Sequence, residues 1–419
     1  MPTFQSKLIV RWATSPGLIF CIAIVVRLPV VWAHMHDPRL AGMFTEHAAI
    51  AHSWLRGQGY SGAFPGTTIP TAWFSPLPTF FLVLLFKYFT ALTSARIALT
   101  LNLLCSAATA VGIFLVGEEL VGTRAAAIAA WIWVFWYYCA VLLLFLDETS
   151  FTALLLVVGI WGLLRVERSR RTWQWVAFGI FWSCCCLVSP ALFSVLACYW
   201  LWLWVRPSRG YAVWRRGLAI SIVAFAVTLA PWVVRNYLAF GRFIFVRSDF
   251  PAEVYYANHE GLGSAPADYS SFPNANPAEY ERLGEPAYMD EKKALVIRYV
   301  QTHPAEFLRR TWMRIISFWT VPRGVGMWPV SMGAFIGLGL AIKKLKARAM
   351  PLAIPMIFFP LVYYLVWAFP RHRHPIEPVI LLLFAYAVDQ LVLQVERIAG
   401  RKRGGGDAAR HANTEVAAG

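Results

Sequence analysis

The sequence predicts an all-α polytopic membrane protein with about ten transmembrane helices, and three observations carry that prediction. Of its 419 residues, 58% are hydrophobic and 14% are charged, against roughly 25% charged in an ordinary soluble domain. Mean hydropathy is +0.55, and apolar runs of helical length recur from end to end. Twenty Trp and 29 Phe add the aromatic weight typical of membrane interfaces.

In chain order the apolar runs fall at about 15–34, 76–92, 97–117, 125–146, 149–165, 173–188, 190–205, 218–234, 326–342, 350–369 and 376–395. The first is longer than a signal-peptide core and no clear small-residue cleavage site follows it, so it reads as a retained span. The net charge of +16 does not indicate nucleic acid. Its basic residues cluster in short loops between apolar runs: Arg165, Arg168, Arg170 and Arg171; Arg206, Arg209, Arg215 and Arg216; Lys343, Lys344, Lys346 and Arg348; Arg397, Arg401, Lys402 and Arg403. That is the positive-inside pattern.

Pairs of spans separate these clusters, so the clusters share one side, expected to be cytoplasmic, with Lys7 and Arg11 beside them. An even number of crossings must then lie between Arg11 and Arg165. Five candidates lie there, so one does not cross. The run 76–92 is the weakest fit: it is at the lower length limit, opens with SPLP and carries Lys87, and it reads as a helix at the interface. Ten spans remain, in one domain over 1–395, with both termini cytoplasmic. The basic, Gly-rich tail 396–419 is expected to lack regular structure.

The same parity places residues 35–96, the Asp147–Glu148 turn, residues 235–325 and the RHRHP turn at 371–375 on the outer face. A short amphipathic helix with Glu46 near its start precedes a turn, Gly57 to Gly62, that formally matches GxGxxG. A dinucleotide fingerprint needs a strand before it and a helix opening within it; here a helix precedes and a Pro-rich loop follows, so the match is rejected. Asp147 and Glu148 interrupt the apolar stretch FLDETSF. One acid would suffice to cap the following helix, and ionisable groups at membrane depth mark function by default, Glu148 more than Asp147. Arg235 and Asn236 fall where a span enters the long outer loop, for which helices near 287–302 and 304–318 are expected. Arg371, Arg373 and His374 lie between prolines at a boundary; basic residues on the outer side imply an anionic partner, either a lipid headgroup or a substrate. The seven cysteines all lie in apolar runs without a CxxC, which argues against a disulfide framework or structural zinc. No HExxH-like spacing occurs among the histidines, so a divalent metal has only weak support.

Taken together, TEHAAIAHSWLRGQGY, PTAWFSPLP, LDETSF, PWVVRNYLAFGRFIFVRSDF, YYANHEG and RHRHPIEP resemble, in order and over nearly the whole chain, the membrane glycosyltransferases of the C-type (GT-C) fold, in particular the family 39 and Rgt-like group. Protein O-mannosyltransferases and the lipid A aminoarabinose transferase are distant members. The resemblance implies an inverting transferase that takes a sugar from a polyprenyl-phosphate donor to a lipid, glycan or protein acceptor on the outer face of a bacterial plasma membrane. It implies Glu46 and Glu148, with Asp147 adjacent, as the functional acids. Many distant members carry an Asp-Glu pair in the first loop, whereas Thr45 precedes Glu46 here, which leaves open the identity of the base.

Chemically, such a transfer needs a carboxylate to take the acceptor proton and cations to hold the departing phosphate. Arg235, Arg371, Arg373 and His374 are the candidates for the phosphate, and Asn236 and Asn258 for the substrate loop. No nucleotide site and no certain cofactor is required. A transporter or flippase of lipid-linked sugars is the alternative. It would place ionisable groups mid-span and use broken or repeated helices, and here the spans are nearly free of charge away from their ends.

Overall fold

The structure, a computed structural model, describes residues 12–42, 46–206, 211–259, 276–320 and 327–416. Every long apolar run forms a helix. In order these are α1 (Pro16–Met35), α2 (Glu46–Leu55), α3 (Pro76–Tyr88), α4 (Ala91–Leu120), α5 (Thr123–Phe135), α6 (Tyr137–Leu142), α7 (Thr149–Val166), α8 (Thr172–Val188), α9 (Leu192–Val205) and α10 (Tyr211–Phe240). The long loop adds α11 (Phe250–Ala257), α12 (Pro277–Leu283), α13 (Glu285–Thr302) and α14 (Pro304–Thr320); α15 (Met327–Leu345), α16 (Met350–Phe358), α17 (Leu361–Leu365), α18 (Pro370–Arg373) and α19 (Glu377–Val416) complete the chain. Local chemistry sets the starts. Ser15 accepts from the Leu18 amide with Pro16 in the first turn of α1, and Thr90 accepts from the Thr93 amide to open α4; both are standard N-caps.

Among the described residues, six apolar segments are long enough to cross a membrane, and α3, α5, α8 and α9 are shorter apolar helices. The chain is an integral membrane protein. The central helix is α19. Val379 to Leu383 are five consecutive residues, all 0–1% exposed, as a helix apolar on every side must be when it is surrounded by others. The outer helices are one-sided: α1 buries Ile19, Ala23, Arg27 and Val31 and exposes Val25 and Trp32. Close helix approach relies on small residues. A Cβ at Gly179 of α8 would collide with the backbone of α10 at Ser221, and one at Gly337 of α15 with the Leu383 carbonyl of α19.

The bundle has two distinct ends. At one, loops and helix ends are joined by ion pairs among Glu119, Arg165 and Arg168, between Glu167 and Arg206, and among Arg124, Asp389 and Glu396. This is the end of the basic clusters. At the other lie residues 36–42 and 46–75, the Asp147–Glu148 turn, 241–259, α11 to α14 and 362–376. Helix α3 stays at this second end: Leu82, Val83 and Leu85 pack with Val31, Leu99, Leu103 and Leu143, which belong to the same ends of α1, α4 and α6. Its 13 residues span about 20 Å, short of the roughly 30 Å hydrocarbon layer. Length alone does not single it out, because α5 and α9 are as short; its partners do.

In the long loop, α13 and α14 occupy the positions expected from the sequence. Helix α14 exposes Leu308, Trp312 and Ile316 along one stripe and buries Arg314, Ser317 and Phe318 on the opposite face, the pattern of a juxtamembrane helix. The Gly57–Gly62 segment is a turn, as expected, with Gly57, Gly59 and Gly62 at positive φ. Backbone helix continues through the basic tail to Val416, where Ala, Arg and Lys favour helix against four glycines costing about 1 kcal/mol each relative to Ala.

Candidate active site

A cavity of about 820 Å³ opens at the loop-rich end of the bundle. Asp147, Glu148, Arg247, Asp249, Arg371 and His372 line its polar side, and Phe193, Phe245, Phe250, Val362, Val366 and Trp367 its apolar side.

The two adjacent acids have separate tasks. Asp147 Oδ1 accepts from the Thr149 amide at 2.9 Å, a cap for the start of α7, and its Oδ2 lies 3.5 Å from Arg371 Nη1. Glu148 makes no cap bond with its side chain. Its Oε2 lies 3.4 Å from His47 Nε2. His47 Nδ1 is 2.8 Å from Thr79 Oγ1, which in turn donates to the Ser75 carbonyl at 3.0 Å and lies 2.9 Å from the Tyr60 hydroxyl. With the Thr79 proton so used, its oxygen accepts from Nδ1, and His47 bridges the first loop to Glu148.

The environments split the pair. For Glu148, burial pushes the carboxyl up, but the hydrogen bond and charge of His47 and the charge of Arg247 outweigh it and hold it at about 2. For Asp147, burial and the neighbouring Glu148 charge push the carboxyl above the ordinary aspartate value, with Arg371 and Thr149 opposing. Glu148 is therefore a fixed negative charge at neutral pH, and Asp147 is the more basic carboxylate.

Two guanidinium groups face these acids. Arg371 is 33% exposed, with its charge 5.6 Å from the Phe369 ring centre. Arg247 donates from Nε to the Trp73 carbonyl at 2.9 Å, pairs with Asp249, and sits 5.5 Å from the centre of the Phe74 ring. Its position is set by stitching between loops: the Ser248 amide donates to the Ala72 carbonyl. Glu285, 1% exposed, accepts from Thr71 Oγ1 (2.6 Å), the Ala72 amide (2.7 Å), Ser248 Oγ (2.7 Å) and the Tyr280 hydroxyl (2.5 Å). Burial raises its carboxyl, against the pull of those four donors.

Several residues expected at the site are elsewhere. Arg235 donates to the Thr71 carbonyl at 2.7 Å and the Tyr60 carbonyl at 2.5 Å and lies among the Tyr60, Trp232 and Phe240 rings; it ties the first loop to the end of α10. Asn236, fully buried, bonds Arg235 and the Ile244 carbonyl. Asn258, also fully buried, donates to the Val254 and Leu365 carbonyls and accepts from Arg314. Arg373 is wholly buried and pairs with Glu377 at 2.7 Å and the Trp319 carbonyl at 3.0 Å. His374, fully buried, stacks on Trp133. A helical turn rotates successive side chains by about 100°, so one turn cannot aim all of Arg371, His372, Arg373 and His374 at one cavity. Arg371 and His372 face it, while Arg373 and His374 turn into the bundle. The Glu46 side chain lies outside the described residues; its backbone opens α2, one residue before His47.

Arg247, His47 and His372 were not singled out from the sequence. Arg247 and Asp249 did carry a signal, as a basic residue on the outer side two positions from an acid, in the quoted GRFIFVRSDF. Among the described residues no three His, Cys, Asp or Glu side chains converge as metal ligands.

No protein-family model and no curated protein matches the chain. Its fold is that of the GT-C membrane glycosyltransferases. The archaeal oligosaccharyltransferase AglB from Archaeoglobus fulgidus, in complex with an inhibitory peptide and a dolichol-phosphate, superimposes with a TM-score of 0.54 at 14% identity, over 96% of this chain and 52% of that one. ArnT from Cupriavidus metallidurans, bound to undecaprenyl phosphate, gives 0.51 at 16% identity, over 89% of this chain and 60% of that one. The Archaeoglobus fulgidus oligosaccharyltransferase in complex with Zn and sulfate gives 0.52 at 12% identity, over 90% and 49%. The chain thus spans about half the length of these structures.

Proposed function

We propose that this protein is an inverting glycosyltransferase that takes a sugar from a polyprenyl-phosphate donor at the outer membrane face. The observation that carries this reading is a cavity lined by four carboxylates (Asp147, Glu148, Asp249 and Glu253) and two guanidinium groups (Arg247 and Arg371), together with an aromatic and aliphatic wall. The solved structures sharing the fold hold dolichol-phosphate and undecaprenyl phosphate, which supports a lipid-phosphate donor here.

The acceptor hydroxyl attacks the anomeric carbon from the face opposite the phosphate. Its oxygen–carbon bond forms as the carbon–oxygen bond to phosphate breaks, and polyprenyl phosphate leaves. Asp147, the more basic acid, takes the acceptor proton. Ionised Glu148, held by His47, offers fixed negative charge where the sugar becomes oxocarbenium-like. Arg371 and Arg247 meet the charge growing on the leaving phosphate, a task suited to planar forks. The prenyl tail lies along Phe193, Phe245, Phe250 and Val366.

A transporter is the weaker reading. Charge does lie buried within the bundle, at Arg27, Arg373 and Glu377, where the spans are expected from the sequence to be nearly free of it. These groups do not line the cavity; they pack against Trp133, Trp319 and His374.

The test is donor breakdown in detergent, where there are no two sides to transport between. The acceptor is first identified as the envelope lipid, glycan or protein that loses a sugar when the gene is deleted. The purified chain is then expected to release polyprenyl phosphate from the sugar donor only when that acceptor is present. Arg371→Lys, which keeps the charge and loses the fork, is expected to lower turnover at saturating donor about tenfold or more. No acceptor-dependent release, together with donor stranded on the inner leaflet of the deletion strain, would establish the transporter instead.

A further inference from the structure

The opposite, basic end of the bundle carries a second large concavity, about 1090 Å³, between α15 and α19. The two helices run side by side and touch where Gly337 lies against the backbone of Leu383. Flanking that contact, Gly333, Ile336, Leu340 and Lys344 fall at i, i+3, i+7 and i+11 and form one wall. Phe384, Leu391 and Ile398 form the other. The walls are apolar and open to the surroundings: Ile336 is 61% exposed and Leu391 63%.

The rim of this cleft is polar in one sense only. Lys344, Gln390, Gln394 and Arg397 lie there, and its lining includes no carboxylate. Lys344 Nζ donates to Gln390 Oε1 at 2.5 Å, which holds the ammonium over the mouth. The acids of the same stretch of α19 point away: Asp389 and Glu396, seven residues apart, both pair with Arg124 of α5. Gln390, Gln394 and Arg397, at i, i+4 and i+7, occupy the face toward α15. Helix α19 thus sorts its charges by face, with anions toward α5 and cations and amides toward the cleft.

We propose that this cleft binds an anionic phospholipid, its phosphodiester headgroup between Lys344 and Arg397 and an acyl chain along Ile336, Leu340, Phe384 and Leu391. Apolar walls running away from a cationic rim at the end of two spanning helices match the layout of one lipid: chain in the hydrocarbon, headgroup at the boundary. A neutral chain alone gives no reason for the cations to be sorted onto this face. The site lies at the other end of the bundle from the acid pair and is independent of the transfer chemistry.

The experiment titrates the delipidated full chain in detergent with dioleoyl phosphatidylglycerol or dioleoyl phosphatidylcholine and counts bound lipid by native mass spectrometry. One phosphatidylglycerol is expected to be retained at concentrations where phosphatidylcholine is not. Each lost cation should weaken that retention about fivefold, so the double variant Lys344→Gln/Arg397→Gln should weaken it on the order of twentyfold or more. The off-cleft pair Lys343→Gln/Lys346→Gln should change it far less. Equal retention of the two lipids, an unaffected Lys344→Gln/Arg397→Gln variant, or a lipid-free dimer abolished by Ile336→Lys would each overturn the proposal.

Discussion

Two clusters of arginine and carboxylate lie two residues apart in the chain and behave as opposites. Around Arg371 the charges face a cavity: the guanidinium is 33% exposed and 3.5 Å from Asp147. Around Arg373 they are closed in: Arg373 and Glu377 are 0% and 2% exposed, 2.7 Å apart, with Arg27 bonded to the Trp133 carbonyl and His374 stacked on that ring. The first cluster can exchange partners with a ligand. The second has spent its arginine fork on Glu377 and the Trp319 carbonyl, joining α19 to the end of α14. The difference between a site and a structural lock is one of helical phase, and residue type does not reveal it.

The sharpest way to break this comparison is to remove one charge from each cluster. Arg373→Leu leaves Glu377 buried and unpaired, and losing one partner of such a pair costs about 3–5 kcal/mol. That variant is expected to give little folded protein by size-exclusion profile and thermal melting. Arg373→Leu with Glu377→Leu should recover much of the loss, because an apolar replacement of both partners is close to neutral. Arg371→Leu should melt near the parent and fail in transfer. If Arg373→Leu were well folded and inactive while Arg371→Leu unfolded, the assignment of the two clusters would have to be exchanged.

Next in size is the acid pair. Asp147→Asn should lower transfer by about 10²–10⁴, the usual contribution of a general base. The sign of the pH dependence follows from its raised carboxyl. Transfer needs the ionised form, so kcat/KM should fall as pH drops through a value above the ordinary aspartate pKa of about 3.9, and this acid limb should be missing from the residual activity of Asp147→Asn. Glu148, at about 2, should contribute no limb above pH ~3. Glu148→Gln should nonetheless lose activity by loss of charge, about a hundredfold. An acid limb that persists in Asp147→Asn and vanishes in Glu148→Gln would reverse the roles of the two acids.

The sequence made the helices legible because crossing a bilayer needs apolar length, and apolar length is a one-dimensional property. It also made Asp147, Glu148 and Arg371 legible, since polar groups at span boundaries are conspicuous against apolar flanks. It could not separate Arg371 from Arg373, because that depends on where Trp319 and Glu377 arrive. Arg247 was passed over for Arg235 on the same ground. Both are arginines near the outer end of α10, and only the path of residues 60–75 decides which of them is covered. Asn236 and Asn258 looked like ligand-binding amides in a polar loop, whereas each is sealed in and used to hold backbone carbonyls.

The smallest effect, and the finest test of the comparison, is at Arg235. It has the composition of a phosphate site: an arginine at a span end, beside aromatic rings. Yet its Nη1 and Nη2 already donate to the Thr71 and Tyr60 carbonyls, and its plane lies among three rings. Lysine can replace the charge and one of the two bonds, but not the second bond or the stacked plane. Arg235→Lys is therefore expected to cost about 1–2 kcal/mol of stability, the scale of one lost hydrogen bond to a charged group, seen as a lower melting temperature. Turnover at saturating donor should stay within about twofold of the parent, because the side chain meets no phosphate. Arg247→Lys separates the alternatives. It keeps a cation on the cavity and loses the fork, so turnover should fall as in Arg371→Lys, whereas the bonds of Arg247 to the Trp73 carbonyl and Asp249 predict a melting shift of the same size as that of Arg235→Lys; the two variants are told apart by turnover. If instead Arg235→Lys lowered turnover tenfold at unchanged melting temperature, the phosphate would have to reach α10, and the first loop would have to leave Arg235 when donor binds.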